Sequence, residues 1–314
     1  MLILIKEYAI AQEAVYVKKN GEFTVEKDSA DFKRVVYELD SSINVFPIVD
    51  FYLTGKIKSR SFVTTVDPPI YQGQKVDYYP NGKTMLNAHY EKGKMVGDVY
   101  SYYPNGKLYA IKECRDTIYN PINGEFERQY LIKSAKDSLG NDIVLEGKGY
   151  YVEYDKETLS KVIAEGSILN GQWDREVKGK ELNEGLTYVE TYELGKLILG
   201  VAKDNAGKEY TYKEVSVPAG YKGGMDAFYK YLMKEVRYPH VAQNKKIQGK
   251  VFLRFVIENN GLISHIQIIN KVNSSLADEA IRVVNKSGVW EPAKRRGKAV
   301  RSIFRIPINF SIGN

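Results

Sequence analysis

The chain has 314 residues, with 46 Lys and Arg against 39 Asp and Glu, 26 Gly, 25 Tyr and a single cysteine, Cys114. That length allows two or three domains with real hydrophobic cores, while one cysteine excludes an internal disulfide framework. No run of about 18 apolar residues occurs, which excludes a membrane-spanning helix in this sequence.

The abundance of Tyr and Gly points to β-structure with many tight turns. The net charge of +7 hides a split. From Val215 onward there are 17 Lys and Arg against 6 Asp and Glu, whereas the preceding residues hold 29 against 33. A basic C-terminal third follows a mildly acidic body, a pattern that fits attraction of nucleic acid, anionic lipid or an acidic protein segment and equally a plain solvated charged surface.

Residues 1–43 form an N-terminal segment. Its start, "MLILIKEYAIAQ", places Ala9 and Ala11 before Gln12, like the small-residue cleavage site of a secretory signal. The apolar stretch before Lys6 is shorter than a working signal core of roughly 7–15 residues. The segment reads either as a clipped signal peptide, which would make the protein an exported one, or as an ordinary flexible terminus.

Residues 44–212 repeat. "YYPNGK" occurs at 78–83 and again at 102–107, and a degenerate "FYLTGK" ends at Lys56. Pro80 and Pro104 preset the first corner of a turn, Asn81 and Asn105 tolerate the second, and Gly82 and Gly106 supply the positive φ that closes it. Each unit is a β-hairpin of a little over twenty residues, barely stable alone, so neighbours must stack into an elongated sheet. Of the 25 tyrosines, 18 fall here, and cross-strand packing is their expected role ahead of a tyrosine-lined binding face. The region resembles the bacterial variant of the MORN repeat, a family used for scaffolding and for protein or lipid contact. The register breaks beyond Cys114.

"KEVSVPAGYK", residues 213–222, has Pro and Gly, no apolar periodicity, and a change of charge sign. It reads as a linker.

Residues 223–314 form a separate module. Asp226 sits in the first turn of a helix whose Phe228, Leu232 and Val236 share one face. Tyr238-Pro239 interrupts it. Lys250–Ile257 and Leu262–Ile269 alternate as strands around the turn Glu258-Asn259-Asn260-Gly261. A second long helix starts at Ser274 or Ser275 and ends before Gly288, burying Ala277, Ala280, Ile281 and Val284. "RSIFRIPINF", residues 301–310, closes the module as a strand despite Pro307, which confines it to a sheet edge. The order is α-β-β-α-β, with a three-stranded antiparallel sheet in the order two-one-three. The whole is mainly β with an α+β C-terminal domain.

This module resembles the TonB C-terminal domain. The resemblance rests on Tyr238, Pro239, Ala242, Gly249, Gly261, Trp290, Pro292, Ala293, Gly297, Val300, Pro307 and Phe310, in the family's order and spacing. It implies capture of a short extended peptide, the TonB box, from an outer-membrane transporter. The free edge of strand three would take that guest by strand addition, through Ala299, Val300, Arg301, Ser302, Ile303, Phe304 and Arg305. The family's energy transducers also carry a membrane helix and a long Pro-rich spacer. Here there are ten prolines, with a repeat array in the spacer's place.

Nothing in the sequence points to catalysis. His89, His240 and His265 are scattered, none at metal-ligand spacing, and no phosphate-binding loop or nucleophile elbow appears. "KRRGK", residues 294–298, lacks the aromatic interleaving of a nucleic-acid site and reads as a solvated hairpin loop beside the receptor edge. The expectation is a non-enzymatic periplasmic or cell-envelope protein, without metal or cofactor, that binds a transporter peptide in TonB-dependent transport. The alternative is a scaffold acting through its repeats, with the edge strand pairing to a second copy.

Overall fold

The computed structural model describes residues 11–19, 21–120 and 125–312. The start of the expected signal peptide, residues 1–10, lies outside them. Backbone contacts divide the chain into two compact units: residues 1–116, 128–180 and 192–196, and residues 117–127, 181–191 and 197–314.

The first unit is a large antiparallel sheet. Strands Phe32–Tyr37, Phe46–Tyr52, Ile57–Val66, Gly73–Tyr78, Thr84–Glu91, Lys94–Tyr102 and Leu108–Asn120 pair in succession. Ala11–Val17 adds to the far side of Phe32–Tyr37, so the N-terminal segment contributes strands of its own. Asp142–Leu145, Lys148–Tyr154, Val162–Leu169 and Gln172–Glu181 continue the meander.

The turns show what the repeated motif accomplishes. At Tyr52–Lys56, Tyr79–Lys83, Tyr103–Lys107 and Asp137–Asn141, the first residue's N–H donates to the fifth residue's carbonyl at 2.8–2.9 Å. The fourth residue is glycine each time, with φ between 84° and 101°. Each turn is then fastened to the next. Tyr79 and Tyr103 donate their hydroxyls to the carbonyls of Tyr102 and Lys136, at 2.7 and 3.0 Å. Asn81 and Asn105 donate side-chain N–H to Pro104 and Ser138, and the Lys83 and Lys107 amines cap the carbonyls of Asn105 and Leu139. Lys83 and Lys107 are thus clips between neighbouring turns. The fourth turn, "DSLGN", lacks the motif. Asp137 Oδ1 replaces it by accepting from the N–H groups of Leu139, Gly140 and Asn141.

Burial gives these tyrosines a measurable consequence. Tyr79, Tyr103, Tyr109 and Tyr151 are buried. Burial, helped by Asp155 and Tyr52, pushes the Tyr79 phenol from 10.0 up to about 12. Burial also raises Tyr103, assisted by Tyr154, and Tyr109, assisted by Tyr151. A phenol whose folded pKa exceeds its unfolded value binds its proton more tightly when folded. Its contribution is therefore intact below pH 10.0 and lost as pH rises toward about 12. Circular dichroism should show a sheet retained to about pH 10 and lost cooperatively above it, together with the rise in phenolate absorbance. Full phenolate absorbance with the sheet intact would contradict this packing.

In the second unit, helices Gly224–Glu235 and Ser274–Asn285 and the short helix His240–Asn244 accompany a three-stranded sheet. The central strand is Gly249–Ile257, flanked by Ile263–Ile268 and by the closing strand Ser302–Phe310, all antiparallel. Val251, Leu253, Phe255 and Ile257 alternate onto the helix-facing side and are fully buried. Trp290 lies at the centre of that core, with the rings of Phe228, Phe304, Tyr221 and Phe255 at 4.9–5.4 Å. Its indole N–H donates to Ser287 Oγ.

Three details differ from the sequence reading. The second long helix is capped by Asn273 rather than Ser274 or Ser275, because the Asn273 carboxamide accepts the N–H of Ser275. Its buried face is Leu276, Glu279, Ala280, Val283 and Val284, with Ala277 and Ile281 only half-buried. Glu279 tolerates burial because Arg282 and the backbone N–H of Arg237 both donate to it. The closing strand also starts one residue later than expected. Lys298–Val300 belongs to another small sheet, paired with Ala293–Arg295, which pairs in turn with Ser216–Val217.

The loop "KRRGK" is no solvated tip. Arg296 and Gly297 take φ of 47° and 77°, the two-residue turn whose twist matches a hairpin. The turn drives Arg296 against Glu181, Tyr188 and Glu190 of this same unit, leaving it 8% exposed. Its guanidinium stacks 3.7 Å over the Tyr188 ring, pairs with Glu181 and lies 3.0 Å from Glu190 Oε1. Tyr212 donates its hydroxyl to the same Glu190 oxygen at 2.7 Å. Arg295 pairs with Glu181 at 2.7 Å, and Lys298 caps the carbonyl of Glu184. Burial disfavours the Arg296 charge, but Glu190, Tyr188 and Glu181 outweigh it and hold the group charged. The stretch expected as a linker is tied to the same hairpin. Arg296 N–H donates to the Val215 carbonyl, and Gly220 exchanges both backbone bonds with Glu291.

Candidate functional site: the open edge of the C-terminal sheet

A strand's backbone groups point alternately to its two neighbours, so a few bonds settle the direction of all of them. Phe252 receives the Ile269 N–H on its carbonyl and donates its own N–H to Asn270 Oδ1, both on the hairpin side. Val251, Leu253, Phe255 and Ile257 therefore face the closing strand. Their register partners are Ile308, Ile306, Phe304 and Ser302, whose backbone groups answer them. The backbone groups of Ile303, Arg305, Pro307 and Asn309 must then point away from the sheet. Among the described residues no strand pairs with that side.

Pro307 is thereby explained. Its missing N–H falls on the open side, where the sheet loses nothing. The seven residues expected to receive a peptide fall on two strands and the junction between them. Ala299 and Val300 belong to the Lys298–Val300 strand, Arg301 is an exposed junction, and Ser302–Arg305 open the closing strand. Within the last group only Ile303 and Arg305 offer outward backbone. Phe304 turns its ring inward onto Phe255 and Trp290.

The remaining motif positions build the frame for this edge. Tyr238 donates its hydroxyl to the Ile247 carbonyl at 2.6 Å and meets Phe310 edge-on, joining the start of the central strand to the end of the closing one. Pro239 caps the short helix. Gly249 opens the central strand opposite Phe310. Gly261 closes the hairpin turn with φ 81° and accepts the Trp290 N–H. Pro292 follows Glu291, which bridges to Gly220, and Gly297 is the second corner of the Arg296 turn.

A hollow of about 390 Å³ lies on the solvent side of this sheet, lined by Arg254, Val256, His265, Gln267, Arg301, Ser302 and Ile303. Sequence reasoning named Arg301, Ser302 and Ile303 but missed Arg254 and Gln267. Arg254 sits on the polar parity of the central strand, which was the only signal available for it. His265 occupies a bulge, with φ 51°, that interrupts the hairpin register.

Residues 234–312 match the family model of the Gram-negative bacterial TonB protein C-terminal. No curated protein matches the chain. The TonB-type segment starts at the end of the first helix and runs past the closing strand. It therefore takes in the whole three-stranded sheet and excludes the stacked turns. No helix among the described residues is long and apolar enough to cross a membrane, and none of their His, Cys, Asp and Glu side chains form a group of three able to hold a metal.

Proposed function

We propose that this chain is a TonB-like protein of the cell envelope whose C-terminal sheet binds an extended peptide by strand addition, the guest being a segment of an outer-membrane transporter. The observation that carries this reading is the outward backbone of Ile303, Arg305 and Asn309, an edge that Pro307 punctuates without cost to the sheet. The TonB-type segment includes that edge, which supports the class of partner. Backbone bonds supply most of the affinity in such a mode, so the reading commits to no catalytic group.

The test is a titration of transporter N-terminal peptides into the full chain, followed by backbone amide NMR. Amides of Ile303, Arg305 and Asn309 should shift most. Ile303→Pro removes one outward donor and should weaken binding roughly tenfold, about 1–2 kcal/mol, while circular dichroism stays unchanged. Ser302→Pro removes an inward donor instead and should destabilise the sheet itself. Shifts confined to the helices or to Ile263–Ile268, with the closing strand silent, would defeat the proposal. Concentration-dependent shifts of the same amides without peptide would point to pairing with a second copy.

A further inference from the structure

The solvent face of the C-terminal sheet carries an unbalanced charge. Arg254 and Arg305 are direct cross-strand partners. Their backbones do not bond each other, and in such pairs the side chains stand closest. Like charges so placed destabilise a sheet. Yet among the described residues neither has a carboxylate within ion-pairing distance. Arg254 reaches only the Gln267 carboxamide, at 3.4 Å, and its Nε is buried without a partner. Arg301 stands at the end of the same hollow. It shares Glu258 at 3.3 Å and approaches His265 Nδ1 at 3.4 Å. Glu258 is also engaged by Ser264, and the guanidinium it pairs with is that of Arg301.

The backbone directions place this charge relative to a guest. Residues whose backbone points outward, Ile303 and Arg305, carry their side chains on the solvent face. A guest residue pairing opposite either one projects its own side chain onto that face too, because paired residues share a face. The next guest residue projects to the helix side, beside apolar Phe304 and Ile306. The guest is therefore read with a period of two.

We infer that the guest segment alternates acidic and apolar residues, its carboxylates seating against Arg301 and Arg254 in the hollow on the solvent face and against Arg305, the cross-strand partner of Arg254. This inference rests on the strand-addition reading and adds to it a rule for which extended peptides are accepted. The carboxylates relieve the Arg254–Arg305 repulsion. Carboxylate–guanidinium contacts in a partly desolvated hollow are stronger than those between exposed ions.

The probes are three short blocked peptides alternating valine with glutamate, with glutamine, or with lysine, titrated into the full chain. The glutamate peptide should bind about tenfold tighter than the glutamine one, with lysine weaker still, and the preference should shrink as salt is added. Arg254→Gln combined with Arg305→Gln should bring the glutamate peptide down to the affinity of the glutamine peptide, with circular dichroism confirming an intact fold. Equal binding of the glutamate and lysine peptides, with Ile303 and Asn309 amides shifting for both, would overturn the acidic rule and leave strand addition standing. No amide shift with any peptide would overturn both. Shifts at Arg254 and Arg301 caused by phosphatidylglycerol-containing vesicles, without a preference among the peptides, would assign the hollow to a lipid headgroup and overturn the inference.

Discussion

Gly261→Ala is expected to destabilise the second unit by about 3 kcal/mol or more, while Gly82→Ala costs the first unit only about 1 kcal/mol. Both glycines close hairpin turns with nearly the same φ, 81° and 84°. The conformational penalty for a side chain in the left-handed region is therefore shared. Their surroundings differ. A Cβ at Gly82 meets nothing within 4 Å, whereas one at Gly261 falls 2.1 Å from the Trp290 carbonyl oxygen and 2.8 Å from Val289 Cγ1. No rotamer change relieves an overlap with backbone. The turn would have to lift off Trp290, losing the bond from Trp290 N–H to the Gly261 carbonyl and loosening a ring packed against four others. Denaturant unfolding read by hydrogen exchange around each turn separates the two effects. Equal losses at Gly82 and Gly261 would show that Trp290 does not press on the hairpin.

That contrast also marks what the sequence could reveal. Positive φ at Gly82, Gly106 and Gly261 is legible, because Pro-Asn-Gly and Asn-Asn-Gly between alternating strands announce a local turn. The approach of Trp290, twenty-nine residues beyond Gly261, is a matter of tertiary packing that no local pattern encodes. The same division runs through the candidate site. Alternation in "KVFLRFVI" and "RSIFRIPINF" identified the central and closing strands, and chain topology put the latter at an edge. Alternation alone could not say which parity bonds the neighbour. That depended on Asn270, whose side chain captures the Phe252 N–H from outside the hairpin.

The basic loop was misread for a physical reason. "KRRGK" is a charge run, and isolated charge runs belong in water. Its burial depends on Glu181 and Glu190, more than a hundred residues earlier, which sit in strands indistinguishable by sequence from solvent-facing ones. Polar residues in a strand betray their partners only once strand order is known. The unit clips failed similarly. Asn81 and Lys83 satisfied a turn rule locally, so nothing local demanded their second role of fastening the neighbouring turn.

Arg296→Met should destabilise the second unit by about 3–5 kcal/mol, since it leaves Glu190, only 2% exposed, without its compensating charge. Arg296→Lys should recover little of that loss. A point charge cannot lie flat on the Tyr188 ring and also serve Glu181 and Glu190, which the planar guanidinium does. Combining Arg296→Met with Glu190→Gln should be less damaging than Arg296→Met alone, by about 1–3 kcal/mol, because the buried charge is then gone as well. If the double substitution were as unstable as the single one, the cost would lie in lost packing and turn strain, and not in charge. The same hairpin governs access to residues 213–222, which it holds through Val215, Ser216 and the Gly220–Glu291 bridge. Limited proteolysis of the intact chain should therefore spare this stretch despite its proline and glycines, and Arg296→Met should open it to cleavage. Equal cleavage there in the unaltered chain and the variant would show that the Arg296 turn does not fasten the segment.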